Sequence, residues 1–168
     1  QKTERNIFFA DAIKDFITRG NFPVTEFVPI IPVGAKISNK SAIKENQLGK
    51  IPGRYHLASK DWSGLQNWTV EDLSPTFVRQ YELWPTPNAG LRSALFPAVD
   101  IDVDNAEIVD IIKSIAISKL GNAPIRYREN SPRVLLVYQI SGASFRKKRL
   151  ELKAPDGSSH AVEVLGAG

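Results

Sequence analysis

The segment Phe96–Asn105, which reads FPAVDIDVDN, determines how the rest of this chain is interpreted. Within it, valine and isoleucine alternate with Asp100, Asp102 and Asp104, which is the two-residue period of a strand with one apolar and one polar face. The three carboxylates are therefore predicted to point the same way, where like charges repel unless a cation or solvent offsets them. The pattern indicates either a metal site or a solvated edge strand that leads into a capped helix.

Composition limits the kinds of site that the chain can build. Its 168 residues suffice for one domain with a sizeable core and room for two lobes. The sequence shows no signal peptide and no apolar run near the roughly 18 residues of a membrane span. Cysteine is absent and the histidines are His56 and His160, which excludes a disulfide framework and a cysteine- or histidine-rich metal site in these residues. The net charge of +4 permits a nucleic-acid partner without requiring one.

The first half of the chain predicts a lobe of helices and short apolar segments. The basic stretch within it, which could separate two lobes, is typical of solvated surface. The predicted elements are an amphipathic helix over Thr3–Arg19, an apolar edge segment at Glu26–Val33, a basic loop from Gly34 to His56, a helical segment through Trp62, Leu65, Trp68 and Leu73, and a helix from Ser74-Pro75 to Tyr81.

The second half predicts a strand, a helix and then a run of strands. Asn105 is a favourable N-cap for a helix with an apolar stripe that ends at Leu120-Gly121. This order favours an α+β fold in which a palm-like sheet is covered by helices on one face. The stripe consists of Ile108, Ile111, Ile112, Ile115 and Ala116, and the later strands are Ala123–Arg128, Arg133–Ile140, Phe145–Ala154 and His160–Leu165, with a hairpin turn at Asp156-Gly157.

A series of short motifs, in a fixed order, resembles a known family. They are Gly49-Lys50-x-Pro52, a tryptophan-rich segment, Asn88-x-Gly90-Leu91, Phe96-x-Ala98-Val99-Asp100-x-Asp102, Asn130-Ser131-Pro132-Arg133 and Val162-Glu163-Val164-Leu165-Gly166. The chain is similar to the primase-polymerase (Prim-Pol) domain of the archaeo-eukaryotic primase superfamily, in the versions found in phage, prophage and plasmid replication proteins. The resemblance covers nearly all of the chain after about Phe22.

This resemblance implies an RRM-like palm and a domain organisation. Residues 1–168 would form a single catalytic domain, with an N-terminal α/β lobe over about 1–90 and the catalytic palm over about 91–168. The family pattern continues into another strand beyond the glycine that follows the third acid, whereas this chain stops at Gly168. Methionine is absent even at the first position, so we expect a fragment that is truncated at the C-terminus.

The resemblance also implies the site residues. Asp100, Asp102 and Glu163 correspond to the catalytic acids that bind divalent metals, Mg²⁺ or Mn²⁺. The place of the family's Ser-x-His motif, which grips the nucleotide triphosphate, is taken by Ser131-Pro132-Arg133, so that arginine replaces histidine. A guanidinium group donates two hydrogen bonds to a phosphate, so phosphate binding stays chemically sensible.

The residues support this chemistry without the family name. Nucleotidyl transfer uses two metal ions about 3.5–4 Å apart, and hard cations prefer carboxylate oxygen. Basic side chains must then meet the triphosphate, and Arg133, Lys148 and Lys50 are the candidates, although Lys148 and Lys50 could equally be solvated. Further basic residues could follow a template backbone, namely Arg126, Arg128, Arg146, Lys147 and Arg149.

Two nearby polar residues are predicted to have other roles. Asp104 shares the aspartate face, but its position favours capping of the following helix over metal ligation. His160 lies three residues before Glu163, which places it on the opposite face of a strand and favours a structural role.

The sequence therefore predicts a DNA primase and DNA-directed DNA polymerase, a nucleotidyltransferase that makes and extends primers on single-stranded DNA from NTP or dNTP. A replicative helicase domain or protein is a further candidate partner, and we expect a bacterial, cytoplasmic protein of phage or plasmid origin. Two alternatives remain open, a non-catalytic RRM-like module that binds single-stranded nucleic acid and a metal-dependent nuclease. Acidic residues on the sheet, and the lack of an RNP-type aromatic pair, disfavour the first.

Overall fold

The computed structural model describes residues 8–69, 80–154 and 156–167 and has an α+β architecture. The chain divides into two compact units, Gln1–Arg92 and Ser93–Gly168. Among the described residues, every helix is too short or too polar to cross a bilayer. The helix predicted to begin at Ser74-Pro75 lies outside the described residues up to position 79.

In its described part, residues 8–69 and 80–92, the first unit combines a long helix with two small antiparallel sheets. Their interior is a cluster of aromatic and branched side chains that includes Phe9, Ile31 and Trp84. The elements are helix α1 (Phe9–Gly20), strands β1 (Phe27–Pro29), β2 (Gly53–His56), β3 (Asp61–Gly64) and β4 (Ala89–Leu91), and 3₁₀ turns at Val24–Glu26 and Glu45–Gln47, with β1 paired to β4 and β2 to β3.

The predicted N-terminal helix is confirmed over its described part. Phe9 and Ile13 bury one side of α1, and the helix ends at Asn21, which adopts a left-handed conformation with φ of 54°. The predicted stop at Gly20 is therefore one residue early, because Gly20 still belongs to the helix. Asparagine tolerates this conformation better than most residues, so it replaces the glycine expected at a helix C-terminus.

The helical segment predicted through Trp62, Leu65 and Trp68 is wrong, while its last residue, Leu73, lies outside the described residues, and the predicted basic loop ends in a strand. Residues 53–56 and 61–64 form the hairpin of β2 and β3, in which Tyr55 pairs with Trp62. The two ring centroids are 5.2 Å apart, and Trp62 is only 3% exposed. Widely spaced aromatic residues fitted a helical period as well as a strand, and contact across the hairpin decided between them.

The second unit is a five-stranded antiparallel sheet with one helix on one face. The strand order β6-β7-β5-β9-β8 places β5 at the centre, between β7 and β9. The predicted strands and the α+β class are confirmed at this level. The elements are β5 (Ala98–Asp102), helix α2 (Ala106–Leu120), β6 (Ile125–Arg128), β7 (Ser131–Val137), β8 (Lys148–Lys153) and β9 (Ser159–Leu165).

The core of this unit lies between the sheet and α2. Val99 and Ile101 of β5 pack there with Leu136 of β7, while α2 contributes Val109 and Ala116. Both ends of α2 match the prediction, since Asn105 caps its start and Gly121 follows its end.

The apolar stripe predicted for α2 is largely wrong in its orientation. Ile108, Ile111 and Ile115 are 37%, 61% and 55% exposed, whereas Val109 faces the sheet. Apolar residues occupy most sides of this helix, so its periodicity does not indicate which face packs against the sheet.

Burial in this core leads to a stability prediction with a matched control. Leu136 is 0% exposed on the helix-covered face, whereas Leu150 on strand β8 is 60% exposed. We expect Leu136→Ala to lower the free energy of unfolding by about 2–5 kcal/mol through lost burial and the cavity left behind. Leu150→Ala should change it by no more than about 0.5 kcal/mol. Chemical denaturation of both variants measures the difference, and equal effects would contradict the burial of Leu136 in this core.

Candidate functional site

Strand pairing brings the three predicted acids onto one face of the five-stranded sheet. On the central strand β5, Asp100 lies opposite Glu163 of β9, and Asp102 lies opposite Ala161. Side chains on directly paired residues are about 4.5–5.5 Å apart at Cβ. Val99 and Ile101 point to the face that α2 covers, so the acids lie on the opposite face of the sheet.

Glu163 is the most enclosed of these acids and is held by two basic side chains. Its side chain is 12% exposed. The Lys147 Nζ atom lies 2.6 Å from Oε2, and the Arg149 Nη1 atom donates to Oε1 at 2.6 Å. These hydrogen bonds lower the pKa of Glu163 against the opposing effect of burial. Glu163 is therefore held in its ionised form by these two partners.

Asp102 is paired with Arg133, which also binds Asp104. The Arg133 Nη1 atom lies 2.7 Å from Asp102, while Nε and Nη2 donate to the two carboxylate oxygens of Asp104, each at 2.7 Å. The prediction that Asp104 caps the helix is wrong, because the Asn105 side chain accepts the hydrogen bond from the Ile108 backbone amide at 3.1 Å. The guanidinium group competes successfully for Asp104, and its hydrogen bonds lower the pKa of that carboxyl group.

Asp100 is influenced by the charges of both neighbouring acids and of two arginines. Burial raises its pKa above the ordinary value, and the nearby charges of Asp102 and Glu163 act in the same direction. Arg126 and Arg128 on the neighbouring part of the sheet oppose this and lower the pKa. An added cation would therefore favour the ionised form of Asp100.

The predicted nucleotide-binding residues do not all join this cluster. Ser131 lies two residues before Arg133 on β7, and so on the same face, and its hydroxyl accepts a 3.3 Å hydrogen bond from the Arg133 amide. Lys148 pairs with Val164, which places it on the opposite face of the sheet from Glu163. Lys50 is exposed and belongs to the first unit. The structure therefore brings Ser131 and Arg133 to the acids and leaves Lys148 apart from them.

His160 lies where the sequence places it, on the face away from Glu163. It pairs with Leu152, and its Nε2 atom lies 3.0 Å from the Ser158 hydroxyl oxygen.

Sequence reasoning missed the contacts of Glu163. Lys147 and Arg149 were assigned to a template path rather than to the acids. Their i, i+2 spacing shows that they share a strand face, but the identity of that face depends on the pairing of β8 with β9.

The acid-bearing face of the sheet is a network of alternating acidic and basic side chains, called the charged network below. Within residues 8–69, 80–154 and 156–167, no three histidine or acidic side chains converge so that they could hold a metal ion together. Glu163 and Asp102 are instead turned toward basic partners. Chemically, the charged network offers carboxylate oxygen to a hard cation and guanidinium or ammonium groups to an anion such as phosphate.

No family model, curated protein or solved structure matches this chain.

Proposed function

We propose that this chain is a Prim-Pol catalytic domain, a DNA primase and DNA polymerase of the phage, prophage or plasmid type. One observation carries the proposal, namely the direct pairing of Asp100 with Glu163 on adjacent central strands, with Asp102 on the same face. Two strands thus present three carboxylates at the middle of a sheet whose other face is closed by a helix. Carboxylate oxygens are the ligands that two-metal nucleotidyl transfer would use at such a place.

The donor set suits Mg²⁺ or Mn²⁺. Asp100, Asp102 and Glu163 supply hard oxygen atoms on one face of the sheet, and Asp102 and Glu163 would have to leave their present basic partners to share a cation. When bound, such cations activate the primer hydroxyl group and neutralise the leaving pyrophosphate. In this proposal the three acids hold the cations and keep their positions relative to one another.

The surrounding basic groups bind the anionic substrates. Arg133 and Ser131 stand beside Asp102 and would contact the triphosphate of an NTP or dNTP. Lys147 and Arg149 stand beside Glu163, where they would contact phosphate once that acid engages a cation. Arg126 and Arg128 are placed on the same face to follow the backbone of a single-stranded DNA template. A helicase domain or protein remains a proposed partner, and Lys50 remains a proposed phosphate contact, whereas Lys148 faces away from the acids and is not proposed as one.

One observation favours a second candidate. Glu163 and Asp102 are each neutralised by basic side chains of the same chain, and an acid already paired in this way has less need of a metal ion. In a non-catalytic, RRM-like module that binds single-stranded nucleic acid, the charged network would serve only to stabilise the fold. The two candidates differ in one measurable respect: a polymerase changes the length of a bound DNA strand, whereas a binding module leaves it unchanged.

A primer-synthesis assay separates the candidates. The full chain is incubated with Mg²⁺ or Mn²⁺ and single-stranded DNA in two arms, one with an end-labelled annealed primer and unlabelled nucleotides, and one without primer and with labelled nucleotides. The proposed function predicts an extended primer in the first arm and newly labelled products in the second, and neither forms when EDTA is present. Shortened products would indicate a nuclease, and retarded but unchanged DNA would indicate the binding module; either result would overturn the proposal. The Asp110→Asn variant is a control, because Asp110 is an acid of helix α2 paired with Lys113 outside the cluster.

A further inference from the structure

Arg92, directly after strand β4, is a buried arginine that no described acid neutralises. It is 7% exposed. Among residues 8–69, 80–154 and 156–167, no carboxylate forms an ion pair with it. A charged group that is removed from water without a partner is unfavourable, and in native proteins such a group commonly has a functional role or a bound ion.

The residue opposite Arg92 is an acid that is buried to the same extent. Glu26 is 8% exposed, and its carbonyl oxygen accepts a 2.9 Å hydrogen bond from the Arg92 amide, next to the pair of Phe27 with Leu91. Side chains at directly opposite positions are about 4.5–5.5 Å apart at Cβ, which is near enough for an ion pair. Because the two side chains form none, neutralisation by the adjacent acid does not account for the buried arginine.

The three guanidinium nitrogens of Arg92 differ in their access to solvent. Nε is enclosed and has no hydrogen-bond partner. Nη1 and Nη2 are not enclosed in this way, and no residue in the described part of the chain accepts a hydrogen bond from them, so this edge of the group faces solvent. Burial of the stem therefore holds in place an edge with N–H donors side by side, which is the geometry that binds two oxygen atoms of a phosphate.

We propose that the Nη1–Nη2 edge of Arg92 is a binding site for a phosphate group, and that Glu26 limits its affinity by repelling the anion. Phosphate is favoured over carboxylate because it carries more negative charge, and the delocalised guanidinium charge is neutralised as a whole. A nucleotide and a nucleic-acid backbone both present such oxygen atoms. The site uses none of the acids on the five-stranded sheet and does not depend on the proposed function.

Nuclear magnetic resonance of the arginine side chain tests the site directly. The Nε–Hε signal of Arg92 is assigned by its absence from the spectrum of Arg92→Lys. Inorganic phosphate is then titrated into the full chain, without metal or DNA, against sodium chloride of equal ionic strength. The proposal predicts a saturable shift of this signal with phosphate and none with chloride.

Substitutions at the two positions should act in opposite directions. Glu26→Gln removes a negative charge about 6 Å from the anion and should tighten phosphate binding by at least about 3-fold. Arg92→Lys keeps the charge but lacks the paired donors, so it should weaken binding by more than about 3-fold, measured from the backbone amide signal of Glu26. Glu26→Gln decides the question if Arg92→Lys fails to fold.

A control variant and further titrations identify the ligand. Asp110→Asn makes the same change of net charge in the second unit and should leave phosphate affinity within about 2-fold of the parent value. Titration with dATP and with a single-stranded oligonucleotide, each expected to shift the Arg92 signal, shows which source of phosphate binds more tightly.

Three results would overturn the proposal. They are the lack of a saturable phosphate shift in the parent, an unchanged or lower affinity in Glu26→Gln, and tighter binding of acetate than of phosphate. A chain that binds phosphate at Arg92 yet makes no DNA would refute the proposed function and leave this inference standing.

Discussion

Replacing Asp100 by asparagine is expected to lower the rate of nucleotidyl transfer by about 10²–10³-fold, the loss typical of removing one preorganised electrostatic group. Asp100 lies at the centre of the sheet face, opposite Glu163 and two residues from Asp102. An amide oxygen at this position would be a weaker and uncharged ligand for a divalent cation. Primer extension at saturating nucleotide, with rates normalised to folded protein, measures the loss.

The same variant should be at least as stable as the parent. The pKa of Asp100 is raised above its unfolded-state value, chiefly by burial, so the folded protein disfavours the ionised carboxylate at neutral pH. Asparagine removes that unfavourable charge, and the melting temperature without metal should stay constant or rise. Asp102→Asn is a less specific test of stability, because Asp102 forms an ion pair with Arg133. Loss of that pair could lower the free energy of unfolding by up to about 1 kcal/mol.

Asp110→Asn is the matched control for activity and stability. It removes one carboxylate from the same unit, at an exposed pair on α2, and should retain activity within about 2-fold of the parent. Full activity of Asp100→Asn would remove Asp100 from the catalytic acids. A large fall in its melting temperature would instead show that the carboxylate supports the fold.

The alternation of Phe96–Asn105 was sufficient to predict the central strand and both of its faces. Val99 and Ile101 are buried against α2, and the aspartates lie on the other face, as the two-residue period requires. Such a pattern is local, so it can be read without knowing the neighbouring strands. The capping role of Asn105 was predicted on the same local basis and is confirmed by its hydrogen bond to the Ile108 amide.

The orientation of α2 and the β2–β3 hairpin could not be predicted in this way. Isoleucine occurs on several sides of α2, and the sheet selected Val109 while leaving Ile111 and Ile115 exposed. Trp62 fitted a helical spacing until its pairing with Tyr55 was known. In both cases a tertiary partner decided between local patterns of similar strength.

The basic partners of Glu163 depended on strand register. A two-residue turn at Asp156-Gly157 would place Leu150 opposite Glu163, and therefore Lys148 on the same face as this acid. The structure pairs Lys153 with Ser159, one residue away from that register, so Arg149 lies opposite Glu163 instead. A shift of one residue moves every side chain of a strand to the other face.

Arg133→Ala is the second variant with a large expected effect. We expect it to raise the apparent KM for nucleotide by about 10- to 100-fold, because hydrogen bonds to a charged group are worth about 1.5–3 kcal/mol. Arg133 stands on the acid face beside Asp102 with three donor atoms engaged by carboxylates, and the proposed triphosphate would take over the contact that Asp102 releases. Turnover could also fall if the contact tightens in the transition state.

Two further variants separate substrate binding from support of the fold. Lys119→Ala removes an exposed charge from the last turn of α2 and should leave KM within about 2-fold of the parent. Lys148→Ala tests the register, since a residue facing away from Glu163 should change KM far less than Arg133 does.

The Arg133 side chain is 31% exposed, so its loss should lower the melting temperature only slightly. A collapse in melting temperature with an unchanged KM would assign Arg133 to the fold, and the triphosphate contact would then have to be sought among the other basic residues of the acid face.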